Sequence, residues 1–310
     1  LVQLKKIADE PMNALRLSPL VAAAFALAAP ALADGTARST KDQPAPAAAA
    51  SPLTYSFNVG ATTDYIFRGY SQKAEDPVLQ GGFDLSYAMR DNLSAYFGVW
   101  ASGVNFGFNP DGSRLVGAEV DIYGGIKTVW DKATLDFGVI YYAYPGARDG
   151  GPAVNQFAEQ DYVELKAGIS SNYLGTFIGL PKLTTGSTIY YSPEYQGKQG
   201  DVWTMESTAS YELPKIWVFT PTLSGTHGTQ YGDSDKNGNL TGFTLGNGAD
   251  SLSYWNVGLT LGLEKFSFDF RYWDTSVKNN NAAAGGVNNW CSGAFLQCDS
   301  HYVFTGKFTY

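Results

Sequence analysis

From Thr54 to Tyr310 the chain breaks into about a dozen short stretches of two-residue alternation, each with one uncharged parity. The last stretch shows the pattern. Tyr302, Phe304, Gly306, Phe308 and Tyr310 fall on one side; His301, Val303, Thr305, Lys307 and Thr309 fall on the other. A period of two is that of a β-strand, whose side chains point to opposite faces in turn. A soluble sandwich turns its polar parity to water and buries a compact core. Here the apolar parity is aromatic-rich, and the other carries many acids. Charged residues make up 16% of the chain, yet the apolar parity is expected to hold no Asp, Glu, Lys or Arg. A Lys or Arg at mid-membrane costs roughly 2–4 kcal/mol, so an uncharged face is what lipid demands. The pattern predicts an all-β fold, a transmembrane antiparallel barrel with lipid outside and a polar lumen inside.

Twelve strands are expected, at 54–68, 78–89, 93–104, 115–126, 134–144, 162–170, 185–195, 202–212, 216–226, 251–263, 266–275 and 301–310. Most reach the ~9–11 residues that a tilted strand needs to cross the hydrocarbon. The lipid-facing parity then includes Tyr55, Phe57, Val59, Ala61, Tyr65 and Phe67 of the first strand and Phe266, Phe268, Phe270 and Tyr272 of the eleventh. Short connections such as 90–92, 127–133, 213–215 and 264–265 alternate with long ones at 105–114, 145–161, 227–250 and 276–300. That rhythm matches periplasmic turns and external loops, with both termini in the periplasm. The connection 171–184 is long in a turn position, and Pro221 is expected to interrupt the ninth strand with a bulge or local edge.

The N-terminal region reads as a targeting segment. Met12 to Arg16 is a basic n-region, Pro19 to Pro30 is apolar but too short to span a bilayer, and Ala31-Leu32-Ala33 is a small-x-small cleavage site before Asp34. Residues 1–11 are expected to be a misplaced start ahead of the natural Met, and 1–33 an extension plus secretory signal. Residues 34–53 are Ala/Pro-rich and aperiodic, a disordered leader, and 54–310 is the barrel domain. Of the chain's 21 Lys+Arg and 29 Asp+Glu, removal of 1–33 leaves 18 against 27. An acidic chain excludes nucleic acid as a partner, because phosphate binding needs basic stripes. A mean hydropathy of −0.16 excludes a helical membrane protein but not a barrel, half of whose strand residues are polar. Export puts Cys291 and Cys298 in an oxidising compartment, where a disulfide closing one loop is expected. A metal site of the two thiolates with His301 lacks a fourth ligand. No cofactor is expected.

The inward parity is expected to carry Asp64, Asp84, Glu119, Asp121, Asp136, Glu164, Glu194, Glu206 and Asp269 against Arg68, Lys166, Arg271 and Lys307. Such a lumen raises the local cation concentration and repels anions. The alternative is a structural network, with Arg68 and Arg271 clamped by carboxylates in a narrow, filled barrel. Both readings stay open. Glu119 and Asp121 lie two apart on one side of a strand, where mutual repulsion favours a cation between them unless Arg68 or Arg271 cancels them. Inward Tyr96, Trp100, Tyr123, Tyr142, Tyr144, Tyr190 and Trp273 either fill volume or stack on sugar or nucleoside rings. An enzyme is disfavoured: the chain has only His227 and His301, and Ser224 falls on the opposite strand face from His227. The loop Asp233 to Asn239 resembles the start of a calcium loop, but position 12 is Thr244 rather than Glu.

Several segments resemble the TorF-like porin family of Gram-negative outer membranes. They are Gly60-Ala61-Thr62-Thr63-Asp64-Tyr65-Ile66-Phe67-Arg68-Gly69-Tyr70-Ser71-Gln72, then Gly98-Val99-Trp100-Ala101-Ser102 and Glu119-Val120-Asp121-Ile122-Tyr123-Gly124-Gly125. Gly138 to Gly146, Tyr191-Ser192-Pro193-Glu194-Tyr195 and Tyr211-Glu212-Leu213-Pro214 follow in order. The resemblance implies an outer-membrane, porin-like barrel and says little about substrate. The terminal Tyr310, with Phe308 two before it, is similar to the aromatic end that barrels present to the outer-membrane insertion machinery. Gly306 falls one position later than in the common form of that signal. The expectation is a passive channel for small solutes, weakly cation-preferring. Its alternatives are a channel preferring a small cationic or carbohydrate-like solute, and a closed structural barrel with partner-binding loops.

Overall fold

The computed structural model describes residues 52–106, 116–147, 160–196, 200–232, 251–276 and 297–310. Twelve antiparallel strands close on themselves, with no free sheet edge. They are β1 (Leu53–Thr62), β4 (Val78–Arg90), β5 (Leu93–Gly103), β6 (Ala118–Trp130), β7 (Ala133–Ala143), β8 (Tyr162–Ser171), β9 (Leu183–Ser192), β10 (Val202–Glu212), β11 (Thr220–Gly232), β12 (Ser251–Leu263), β13 (Phe266–Thr275) and β14 (His301–Thr309). Two further strands of two residues, β2 (Ile66–Phe67) and β3 (Tyr70–Ser71), pair only with each other. Each barrel strand pairs with its sequence neighbours, and β1 meets β14 to close the wall, with Val59 opposite Phe308 and Ala61 opposite Gly306. The terminal residue takes part: the Phe57 amide donates to the Tyr310 carbonyl at 3.1 Å, and the Tyr310 amide donates back at 2.9 Å.

Cross-strand aromatic pairs line the outer face near this seam. Ring centroids of Phe57 and Tyr310 lie 5.2 Å apart, those of Phe266 and Phe308 5.3 Å, and those of Phe270 and Phe304 4.9 Å. Such pairs stabilise a sheet beyond the area they bury. The outward parity is free of Asp, Glu, Lys and Arg as expected, with two corrections at its ends. Asp274, opposite Trp255 at the loop end of β13, faces outward, and a bulge at the turn end of β4 sets Arg90 opposite Leu93 on the same face. Both sit at the rim, where a charge reaches the interface at little cost.

Tight turns gather at one end: Asp91-Asn92, Asp131-Lys132 and Glu264-Lys265 each join two strands, with left-handed φ at Asp131 (53°) and Glu264 (52°). The long turn at this end contains a short helix, α1 (Tyr173–Phe177). Two strands are displaced from expectation. β6 runs to Trp130 rather than 126, so Lys127 is a strand residue and not part of a turn. β11 begins at Thr220 and runs to Gly232, because a small turn closed by Ile216 and Phe219 occupies the earlier positions. Pro221 therefore sits second in its strand, where it interrupts nothing, and its carbonyl accepts the Leu213 amide at 2.9 Å. Glu194 lies beyond the end of β9 and is exposed, so it is not an inward mid-strand acid.

The largest departure is in the first strand. β1 ends at Thr62, not at 68, and Thr62 is already register partner to Val78 of β4. Residues 63–77 are thus an insertion between two strands that could have been joined by a tight turn. The insertion folds inward, into the barrel. Tyr65 and Phe67, expected to face lipid, instead lie inside, Tyr65 buried and Phe67 packed against the interior aromatic cluster.

Candidate functional site

The inserted segment is a miniature hairpin. β2 and β3 are joined by Arg68-Gly69, both left-handed (φ 48° and 88°), as a two-residue turn between right-twisted strands prefers. Gly69 is needed twice over. Its φ disfavours any L side chain, and an added Cβ would strike the Thr275 methyl and come within 2.7 Å of the Tyr254 Cβ. The hairpin tip is wedged against β12 and β13, on the far side from β6.

From this tip Arg68 reaches across the lumen. Its Nη1 and Nη2 donate to Oε1 and Oε2 of Glu164 on β8, both at 2.7 Å. Both side chains are buried. The guanidinium also lies 4.7 Å from the Phe67 ring centroid and 5.0 Å from that of Tyr190. A planar cation, two parallel charge-assisted bonds and aromatic faces are the conditions under which a buried arginine is tolerated.

The rest of the hairpin is held by phenols and carboxylates. Tyr65 donates to Glu119 at 2.6 Å and packs edge-on to Trp100, and Tyr144 donates to Glu119 as well. The hydroxyls of Tyr70 and Tyr195 meet at 3.0 Å. At the hairpin base, Asp64 accepts from the Ser71 hydroxyl and the Tyr65 amide, both at 2.8 Å. Burial pushes the Asp64 carboxyl up to about 6, against the hydrogen bond from Ser71 and the field of His301, which pull it down. His301 faces Glu75 of the same loop at 3.3 Å, and its other ring nitrogen lies 3.2 Å from the Gln297 carbonyl. Ring contacts complete the seal: Tyr142 stacks on Tyr162 at 4.3 Å, and tilted pairs join Tyr162 with Tyr195 at 4.8 Å and Phe106 with Tyr144 at 5.5 Å.

The turn half of the barrel is different. Around Glu206, Asp84, Asp269, Arg271 and Lys307 the side chains are half-buried rather than sealed. Asp84 accepts from Tyr123 at 2.6 Å, and Glu206 accepts from Tyr254 at 2.5 Å. Arg271 is held by Asp269 on its own strand, at 3.0 Å, by Asn256 and by Ser224. Asp136, between the two halves, takes the Lys166 ammonium at 3.0 Å and the Tyr96 hydroxyl at 2.8 Å.

Apart from Glu194, the residues expected in the lumen divide between two parts of the interior. Asp64, Arg68, Trp100, Glu119, Asp121 and Glu164 belong to a packed outer half closed by the hairpin. Asp84, Tyr123, Glu206, Asp269 and Arg271 line a more accessible vestibule at the turn end, with Tyr96, Asp136 and Lys166 between. Among the described residues the inward acids Asp64, Asp84, Glu119, Asp121, Asp136, Glu164, Glu206 and Asp269, with Glu212 at the turn-end rim, outnumber the inward bases Arg68, Lys127, Lys166, Arg271 and Lys307. Neither arginine cancels the Glu119–Asp121 pair, since Arg68 is committed to Glu164 and Arg271 to Asp269. Asp121 is buried, and its Oδ1 has no hydrogen-bond partner among the described residues.

The inward tyrosines do more than fill volume. Tyr65, Tyr96, Tyr123, Tyr142 and Tyr254 each donate to a lumen carboxylate. Of these pairs only Tyr142–Glu164 joins adjacent strands; the others skip a strand or start from the hairpin, so alternation alone carried no signal for them. Ser224 faces inward to Arg271 while His227 is exposed on the outer face, so the two do not form a catalytic pair. Cys298 is buried, and its carbonyl accepts the Thr275 hydroxyl at 2.9 Å; Cys291 and the 233–239 loop lie outside the described residues.

Solved structures similar to this one are outer-membrane barrels. The COG4313 outer membrane channel from Pseudomonas putida F1 is 12% identical with a TM-score of 0.46, over 87% of this chain and 99% of that one. The NanC porin is 10% identical with a TM-score of 0.42, over 82% and 97%. LpxR from Salmonella typhimurium is 12% identical with a TM-score of 0.40, over 82% and 99%. No curated protein matches the chain in sequence. A family match covers residues 46–297, from within the Ala/Pro-rich leader to the last loop, and the chain accordingly belongs to the family described as bacterial protein of unknown function (Gcw_chp).

Proposed function

We propose that this protein is a gated channel of the Gram-negative outer membrane, passing small solutes with a weak preference for cations. The uncharged aromatic exterior and the closed wall supply the membrane-spanning part. The observation that carries the reading is the insertion 63–77. It occupies the bore, yet it is attached only through the loop end of β1 and β4, which are register partners without it. A wall that needs no plug for its own closure, with a plug joined to it at the loop end and a charged vestibule beneath, is the construction of a closed pore. The excess of inward acids supports the cation preference.

The packed outer half also favours a second reading, a sealed structural barrel whose external loops bind a partner. Planar-bilayer recordings separate the two. The wild-type protein should give low or intermittent conductance. A variant with 63–77 replaced by Asn-Gly should conduct steadily, with cations favoured in reversal-potential measurements. A shortened, heat-modifiable variant that stays silent would support the sealed barrel and end the channel reading.

A further inference from the structure

Three consecutive turns at the tight-turn end carry apolar side chains that the barrel does not cover. Trp130 ends β6, Phe177 ends α1, and Trp217 tips the turn after β10. They are 78%, 88% and 83% exposed. Ile178 and Ile216 stand beside them, also exposed. The other two turns of this end, Asp91-Asn92 and Glu264-Lys265, carry no apolar residue, so among the described turns the apolar projection beyond the wall is confined to one arc, while Tyr55, Phe266 and Tyr310 of the wall itself are also exposed at this end.

The arc is continuous with the lipid-facing surface. Trp130 belongs to the outward row of Ile122 and Ile126. α1 lies against the outer wall of β9: a Cβ on Gly175 would come within 2.5 Å of the Leu183 carbonyl and 2.8 Å of the Leu183 Cβ. Thr185, on the outward parity of β9, is only 5% exposed beside it. The turns are also joined to one another. Tyr173 donates its hydroxyl to Asp131, and Lys182 pairs with Glu212. Lys132, Lys182 and Lys215 stand against Asp131 and Glu212, which leaves the arc one net positive charge.

We propose that this arc is a one-sided membrane anchor, in which α1 and the Ile216–Phe219 turn lie in the headgroup layer of an anionic phospholipid leaflet. Tryptophan and tyrosine favour that layer. Lysines near an anionic surface add attraction that salt screens. The inference rests on the barrel and its lipid-facing rows, not on whether the lumen conducts.

The test is made on full-length mature protein in vesicles of phosphatidylcholine, with or without phosphatidylglycerol, brominated near the carbonyl end of the acyl chain. The chain has seven tryptophans, so the emission of Trp217 is obtained as wild type minus Trp217→Phe. It should lose most of its intensity in brominated vesicles. The loss should deepen with phosphatidylglycerol at low salt, and Lys132→Gln with Lys215→Gln should remove that increment. Unquenched Trp217 in a folded, heat-modifiable barrel would overturn the anchor. So would a detergent-stable dimer that Phe177→Glu dissociates, since the arc would then be an interface between copies. An increment that survives loss of both lysines would overturn the anionic preference.

Discussion

Arg68 and Glu164 meet in two parallel hydrogen bonds of 2.7 Å, one residue from a hairpin tip and the other from the opposite wall. β8 lies five strands from β1 in one direction and seven in the other, so the pair nearly spans the bore. Removing one partner of a buried ion pair costs about 3–5 kcal/mol, because the other charge is left uncompensated. Arg68→Ala should therefore shift the hairpin out of the lumen. Chymotryptic cleavage after Phe67 or Tyr70 should rise by orders of magnitude, while heat-modifiability is kept. Arg68→Met combined with Glu164→Met should restore most of the protection. Protection unchanged in Arg68→Ala would show that the phenol contacts alone hold the hairpin.

Gly69→Ala probes the same insertion from its tip. The substitution forces a methyl onto Thr275 and Tyr254 and places alanine at φ 88°, a conformation costing of order 1–3 kcal/mol for a non-glycine residue. The barrel strands are untouched. Circular dichroism should stay β-type, and protease access to 63–77 should increase.

Asp64 makes the insertion sensitive to pH. In the inserted hairpin its carboxyl titrates near 6 rather than at the ordinary 3.8. The inserted state thus holds a proton that the released state gives up between those values. Insertion is favoured fully below pH ~4, and this contribution is lost as pH rises through 6. Protease access to the hairpin should increase between pH 4 and 7. Asp64→Asn should flatten the profile, which separates Asp64 from the neighbouring Glu75 and His301. A profile unchanged by Asp64→Asn would assign the effect elsewhere.

The expected disulfide between Cys291 and Cys298 is best tested chemically. Protein from the oxidised envelope should show no titratable thiol. A loop of this size gains ~2–3 kcal/mol from the cross-link by the chain-entropy model. Reduction should expose 276–300 to protease, and it should loosen the Cys298 carbonyl that Thr275 holds beside Gly69. The barrel's heat-modifiability should not change.

Selectivity should follow the vestibule. Glu206 and Asp269 are half-buried there, whereas Glu119 and Asp121 lie in the packed half. In the hairpin-shortened variant, Glu206→Gln with Asp269→Asn should reduce cation preference, more at low salt than at high. Equal reversal potentials before and after would remove these two from the conduction path.

The wall was legible because alternation is a direct image of two solvents. Wherever one parity meets lipid, as in β5, β7 and β13, the boundaries fall within a residue or two of expectation. Legibility failed where alternation continued past the wall. Thr63 to Phe67 keeps the period and the aromatic content of β1, and period alone cannot say that the chain has turned from the lipid to the lumen. The turn signal was Arg68-Gly69, a residue followed by glycine inside an apparent strand. β11 was displaced for the opposite reason. Its outer half, Thr226 to Gly232, is rich in Gly, Thr and Gln and resembles a loop in composition, though it pairs fully with β10 and β12. The tyrosine–carboxylate pairs were out of reach, since they depend on which strands adjoin and in what register.

Every hold on the hairpin comes from far along the chain. Tyr65 binds Glu119, Arg68 binds Glu164, Tyr70 meets Tyr195, and Gly69 rests on Tyr254 and Thr275. Contacts at such separation carry a large closure cost and form late. The docking site for residues 63–77 is assembled from β6, β8, the segment after β9, β12 and β13, so it does not exist until the wall is nearly complete. We expect the ring to close empty, with its first loop, made earliest, the last to find its place.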